Sequence, residues 1–142
     1  MRQLLILHPD SRCYAVAQIE VRVARPRADS LVLSFIVTGK MSDVRMPPAM
    51  AAARSDELWR HTCFEAFVRA SSSADRYTLQ ASLELDRLSG LPRKSSWRLG
   101  LAALIEDTSG RKSYWALAHP PGKPDFHHAD CFAHEFSPVA QP

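Results

Sequence analysis

The 142-residue chain has no apolar run near the roughly 20 residues that span a bilayer. Its N-terminus offers only Leu4-Leu5-Ile6-Leu7 before His8 and Pro9. A secretory leader needs an apolar stretch of roughly 7–15 residues. The expectation is therefore a chain with neither leader nor membrane anchor. Three cysteines, Cys13, Cys63 and Cys131, are an odd number with no CxxC spacing, which excludes a disulfide framework or a zinc ribbon. This usage fits a reducing cytoplasm. No repeat recurs at a fixed spacing, no HExxH motif is present, and the helical period is almost absent. The formal charge is +3, but the basic residues (Arg22, Arg25, Arg27, Arg54, Arg60, Lys94, Arg98, Arg111) are scattered. A nucleic-acid binder gathers them on one face with interleaved aromatics, so the excess reads as solubility and nucleic acid is not an expected partner.

What the chain has instead is alternation. Over residues 14–25, Ile19, Val21 and Val23 alternate with Gln18, Glu20 and Arg22, the pattern of a half-buried strand. Residues 25–30 read as a polar connection carrying Pro26. Residues 31–38 form a second strand, apolar enough on both faces to be central. Met46-Pro47-Pro48 excludes a continuous helix, because proline lacks the amide donor and restricts its predecessor. Residues 77–86 alternate most cleanly, and residues 97–106 alternate again, with Trp97, Leu99, Leu101, Ala103 and Ile105 on one side. Asp107-Thr108-Ser109-Gly110 is a turn that folds residues 113–119 back as a hairpin. A proline-rich loop over 120–130 precedes a short strand around 131–136. Short strands separated by turn signals predict an all-β, antiparallel β-sandwich forming a single domain over 1–142.

The chemistry concentrates in two stretches. If residues 58–68 are extended, Thr62, Phe64, Ala66 and Val68 face the core. Trp59, His61, Cys63, Glu65 and Phe67 then share the other face. A carboxylate, an imidazole and a thiol between two aromatics form either a ligand surface or a polar network under a loop. The second stretch is the loop itself, with His119, Asp125, His127, His128 and Asp130. Imidazoles and carboxylates are usual ligands of zinc or iron, so His61, Glu65, Asp125 and His127 or His128 admit a small metal-dependent hydrolase. The plainer reading is that Asp125 and its neighbouring histidines pin the loop through backbone hydrogen bonds. Cys63 beside His61 suggests a thiol and a base, but most buried cysteines are small hydrophobes. Haem would want axial ligands such as His with Met, and Met41, Met46 and Met50 precede this region. Trp59, Phe67, Tyr114 and Trp115 suit sugar binding, where rings stack and polar groups bond hydroxyls. On strands, Trp97 and Trp115 read equally as core.

Several stretches resemble one family. Leu58-Trp59-Arg60-His61-Thr62-Cys63-Phe64-Glu65-Ala66-Phe67 closely resembles a segment of bacterial DOMON-like domain proteins. Leu99-Gly100-Leu101-Ala102-Ala103-Leu104-Ile105-Glu106 and Ser113-Tyr114-Trp115-Ala116-Leu117-Ala118-His119-Pro120 look like that family's later segments. Gly122-Lys123-Pro124-Asp125-Phe126-His127-His128 followed by Phe132 is similar to its closing motif, and Leu7-His8-Pro9 to its N-terminal signature. The resemblance implies a jelly-roll-like sandwich related to DOMON domains and family 9-like carbohydrate-binding modules. It implies a non-catalytic module binding a carbohydrate or haem. The related modules carry a tryptophan and an acidic pair at the place where this chain has Trp59 and Glu65, and the resemblance carries Trp59, His61 and Glu65 over as ligand-binding residues. It also implies a shortened domain, because an aromatic-rich central segment of the family is missing where Ser73 runs on to Tyr77. Such a loss exposes a sheet edge and predicts a closed gap, a homodimer through that edge, or a less stable fold. A vestigial site that only stabilises the sheet is the third expectation.

Overall fold

The alternation around Ile19, Val21 and Val23 becomes the longest strand of the first sheet in the computed structural model, which describes residues 1–27, 30–48, 51, 53, 55–70 and 96–136. This strand, β3 (Val16–Arg27), pairs antiparallel with β4 (Ser30–Gly39) and with the short β1 (Arg2–Leu4). Ile19, Val21 and Val23 are at most 1% exposed, as their period-two placement demands. On the opposite face Glu20 is nonetheless buried, because Arg2 and Arg22 both close over its carboxylate. The guanidiniums lower the Glu20 pKa, chiefly through their hydrogen bonds.

Two expectations change here. The polar connection expected over residues 25–30 is largely strand, since β3 runs through Pro26 to Arg27. Proline survives there because the ladder register shifts between Ala24 and Arg27, a place that does not require its missing amide. The second strand is not buried on both faces. Leu31 and Leu33 point inward, but Val32 is 50% and Ile36 36% exposed. Gly39 ends β4 where its backbone crosses residue 15. A Cβ there would lie 2.2 Å from the Ala15 carbonyl oxygen.

The second sheet has the order β2-β7-β6-β5, from β2 (Ile6–Leu7), β7 (Lys112–Ala116), β6 (Trp97–Glu106) and β5 (Cys63–Ala70). The last strand, β8 (His134–Phe136), pairs with the start of β6 beyond the end of β7. The 107–110 turn forms as expected, with Gly110 at φ 81°. Asp107 Oδ1 accepts from the Ser109 and Arg111 amides, both at 2.9 Å. The N-terminal segment belongs to both sheets. It crosses between them at buried Leu5, from the edge of one sheet to the edge of the other.

The two sheets meet through Ile19, Val21, Val23, Leu31 and Leu33 on one side and Ala66, Val68, Leu99, Leu101, Ala103 and Ile105 on the other. Trp97 and Trp115 complete this core. The architecture is thus the predicted all-β, antiparallel sandwich. The strand expected over 77–86, and the stretch where the resemblance implies a missing segment, lie outside the described residues. Among the described residues no helix is long and apolar enough to cross a membrane.

Strand β6 is buried on both faces except at Arg98. Its outer face is covered by the chain returning from β7, through a second small core of Phe67, Ala102, Ala116 and Phe132 with Phe126 packed against it. This cover creates the site.

Candidate ligand-binding site

The outer face of the second sheet is built in rows set by strand register. Cys63, Leu104 and Tyr114 lie side by side across β5, β6 and β7. The next row is Glu65, Ala102 and Ala116, and beyond it Phe67 lies opposite Gly100. Small residues at the centre of the second and third rows let the covering loop approach. A Cβ on Gly100 would already sit 3.3 Å from the Cys131 carbonyl oxygen. Phe67, 1% exposed, fills the space left, with Phe132 at 6.3 Å and His127 at 5.0 Å, both edge-on.

The loop is held by its own side chains. Asp125 Oδ1 accepts the His127 amide at 2.9 Å, and the Asp125 carbonyl accepts the Cys131 thiol at 3.1 Å. His128 Nδ1 accepts the Asp130 amide at 3.3 Å and caps the single 3-10 turn Ala129–Cys131. The loop-pinning role foreseen for Asp125 and its neighbouring histidines is therefore realised.

Between this loop and the first row of the sheet lies a cavity of about 270 Å³. Trp59, Cys63 and Glu65 line it from one side, and Asp125, Phe126 and His127 from the loop. Lys112 and Tyr114 of β7 form its far wall. Trp59 stands at the rim, 54% exposed, with the Arg60 guanidinium 5.6 Å from its ring centroid. Glu65 is 6% exposed on the floor, its Oε1 4.0 Å from Cys63 Sγ. Burial, and after it the charge of Glu65, push the Cys63 thiol up to about 12. It stays protonated at neutral pH, the state of a packing residue and not of a nucleophile.

The structure thus brings together four of the residues singled out from sequence, Trp59, Glu65, Asp125 and His127. The other three lie elsewhere. Trp115 is 6% exposed in the inter-sheet core, where its indole N–H donates to Ser113 Oγ at 3.2 Å. His128 serves as the cap described above. His61 does not line the cavity, and its Nδ1 meets Glu106 Oε2 at 2.8 Å. The reason is local. Residues 58–60 are not extended but form a 3-10 turn, entered through Glu57 at φ 60°, and β5 begins only at Cys63. Regular strand alternation stops at Cys63, yet Trp59 still reaches the cavity, and His61 still meets Glu106, which has the outward parity of Ala102 and Leu104 on β6.

Glu106 positions this turn, and it was not singled out from sequence. Its carboxylate is 5% exposed as a residue and receives His61 on one oxygen and Arg45 on the other, at 2.9 Å for the arginine. Its amide donates to Thr62 Oγ1 at 3.0 Å. The hydrogen bond from His61, then the charges of Arg45 and His61, hold its pKa below the usual carboxylate value. Lys112 and Tyr114 were also under-read. Period two on β7 puts Ser113 and Trp115 inward and Lys112 and Tyr114 outward, so Tyr114 was the aromatic to take from that pair.

Among the described residues no three His, Cys, Asp or Glu side chains converge closely enough to hold a metal ion. Comparison with protein-family models, with curated proteins and with solved structures finds no match to this chain.

Proposed function

We propose that this domain is a non-catalytic binding module, working in the cytoplasm, whose ligand is a small carbohydrate held between Trp59 and the 125–127 loop. One observation carries the reading: an exposed indole stands over a pocket floored by a buried carboxylate and walled by a second acid and an imidazole. A saccharide ring offers an apolar C–H face for stacking and hydroxyls that donate to carboxylates, so this pairing of groups suits it. The cavity, about 270 Å³, lies just below the roughly 300–1,000 Å³ typical of ligand pockets. That suits one or two rings. Haem has less support: the lining holds one imidazole and no methionine, and Met41 and Met46 lie on the surface. Three free cysteines fit a reducing compartment. A homodimer or a protein partner remains a proposal on the resemblance alone.

The test is a thermal melt of the purified chain against a panel of neutral mono- and disaccharides, haem and divalent metals. Ligand at 100 times its Kd stabilises by about 2.7 kcal/mol. A sugar-specific shift, abolished by Trp59→Ala in a variant that still melts cooperatively, is expected. A shift with haem or metal alone, or a sugar shift indifferent to Trp59, overturns the reading.

A further inference from the structure

We infer that the ligand carries an oxyanion, a phosphate or a carboxylate, and that this group enters a basic cavity adjoining the Trp59 pocket. The inference rests on the saccharide reading and adds the class of sugar. The second cavity has a volume of about 680 Å³ and is lined by Arg12, Tyr14, Arg111 and Lys112, with Asp10 its one acidic side chain. It shares Lys112, Tyr114 and Pro124 with the Trp59 pocket. A ligand of two or three ring lengths can therefore cross Tyr114 from one into the other.

Three features make it a site for anions. First, its cations form no close ion pair among the described residues, although Lys112 acts electrostatically on Glu106 and Arg111 on Asp107. Arg2, Arg22, Lys40, Arg45 and Arg60 each pair with a carboxylate. Among the described residues, Arg12, Arg111 and Lys112 form no such pair. Second, the walls are tied together. The Tyr114 amide donates to Ser11 Oγ at 3.3 Å, and the Ser11 amide donates to the His8 carbonyl at 2.9 Å. The Arg111 amide is fixed by Asp107, and its guanidinium stands 5.6 Å from the Tyr14 ring centroid. A π face attracts the cation without neutralising it. Third, the two cavities differ in charge. Glu65 and Asp125 at one end repel an anion and favour hydroxyl donors, while Arg12 and Arg111 at the other attract it, with Lys112 at the junction. One ligand orientation follows, with hydroxyls toward Trp59 and the anion toward Arg12.

The experiment is isothermal titration of the full chain with neutral sugars, their phosphorylated forms, their uronic acid forms and inorganic phosphate, at low and high salt. Charge-assisted bonds to guanidinium and ammonium are expected to make the anionic member bind about tenfold tighter or more. The preference for phosphate or carboxylate identifies which oxyanion is native. Arg12→Gln and Arg111→Gln, both at exposed positions, should remove most of that advantage and leave neutral-sugar affinity unchanged. High salt should do the same. Equal affinity for neutral and anionic sugars overturns the inference while the saccharide reading stands. Inorganic phosphate binding as tightly as the sugar phosphate overturns the joining of the two cavities. No binding by any sugar overturns both.

Discussion

Cys63 should react slowly with disulfide reagents in the folded protein, for a reason specific to this site. Its thiol moves from an ordinary 9.0 to about 12, through burial first and the neighbouring Glu65 carboxylate second. That rise cuts the thiolate present at neutral pH by about a thousandfold. The more basic thiolate is a better nucleophile, and with a Brønsted coefficient of about 0.4–0.5 it recovers some 15–30-fold. The net expectation is exchange about 30–60-fold slower than for an ordinary thiol, before restricted access lowers it further. A chain carrying Cys13→Ser and Cys131→Ser isolates Cys63. Its reaction with an aromatic disulfide, followed by absorbance from pH 7 to 9, is compared with the same chain in denaturant. Glu65→Gln keeps the shape and removes the charge, so it should speed the folded-state reaction while the denatured rate is unchanged. A folded rate within about fivefold of the denatured one, unaffected by Glu65→Gln, would refute both the burial of this thiol and the charge beside it.

Phe67→Ala should cost about 3–5 kcal/mol in a denaturant titration, because the ring joins the sheet to the loop that carries His127. A loss under about 1 kcal/mol would mean the loop does not depend on that packing. The bonds of Glu106 to His61 and Arg45 lower its carboxylate pKa from 4.5. Their stabilisation is complete above that value and disappears as pH falls through the folded pKa. Glu106→Gln should therefore flatten the acid limb of stability against pH, and an unchanged limb contradicts it. His119 behaves in the opposite sense to a paired histidine. Burial, opposed by its 2.7 Å bond to the Ile6 carbonyl and aided by nearby His8, lowers its pKa from 6.5. The unfolded chain then takes up the proton first, so stability should fall as pH drops below about 6.5. His119→Gln should weaken that dependence in a pH series of melts.

The sandwich was legible in the sequence because burial on one face of a strand writes a period of two, which β3 and β7 show, and because β6, though covered on both faces, keeps Trp97, Leu99, Leu101, Ala103 and Ile105 on its core side. The turn at 107–110 was legible because its Asp and Gly each have a local conformational role. Part of the site was legible for a different reason: Glu65 and Cys63 lie among residues that demand burial, and that conflict is visible without coordinates. Local pattern stops at the edge of a regular element. Nothing in Leu58-Trp59-Arg60 announces a 3-10 turn. The chain after this turn is held by Glu106, a residue 45 positions away from His61 in sequence, and that bond ties up His61 outside the cavity lining. Trp115 and Tyr114 are neighbours of equal aromatic promise; the period of β7 turns Tyr114 outward, and the register of β7 against β6 sets it beside Leu104 and the cavity. The Asp125 loop could be seen to be rich in ligating groups, yet its seat over Ala102, Ala116 and Gly100 depends on strands distant in sequence presenting small side chains side by side. Period, turn chemistry and unusual composition are properties of the chain. The shared wall of Lys112 and Tyr114, and the placing of Glu65 and Cys63 across the sheet from it, arise only when the strands of the second sheet set their registers together.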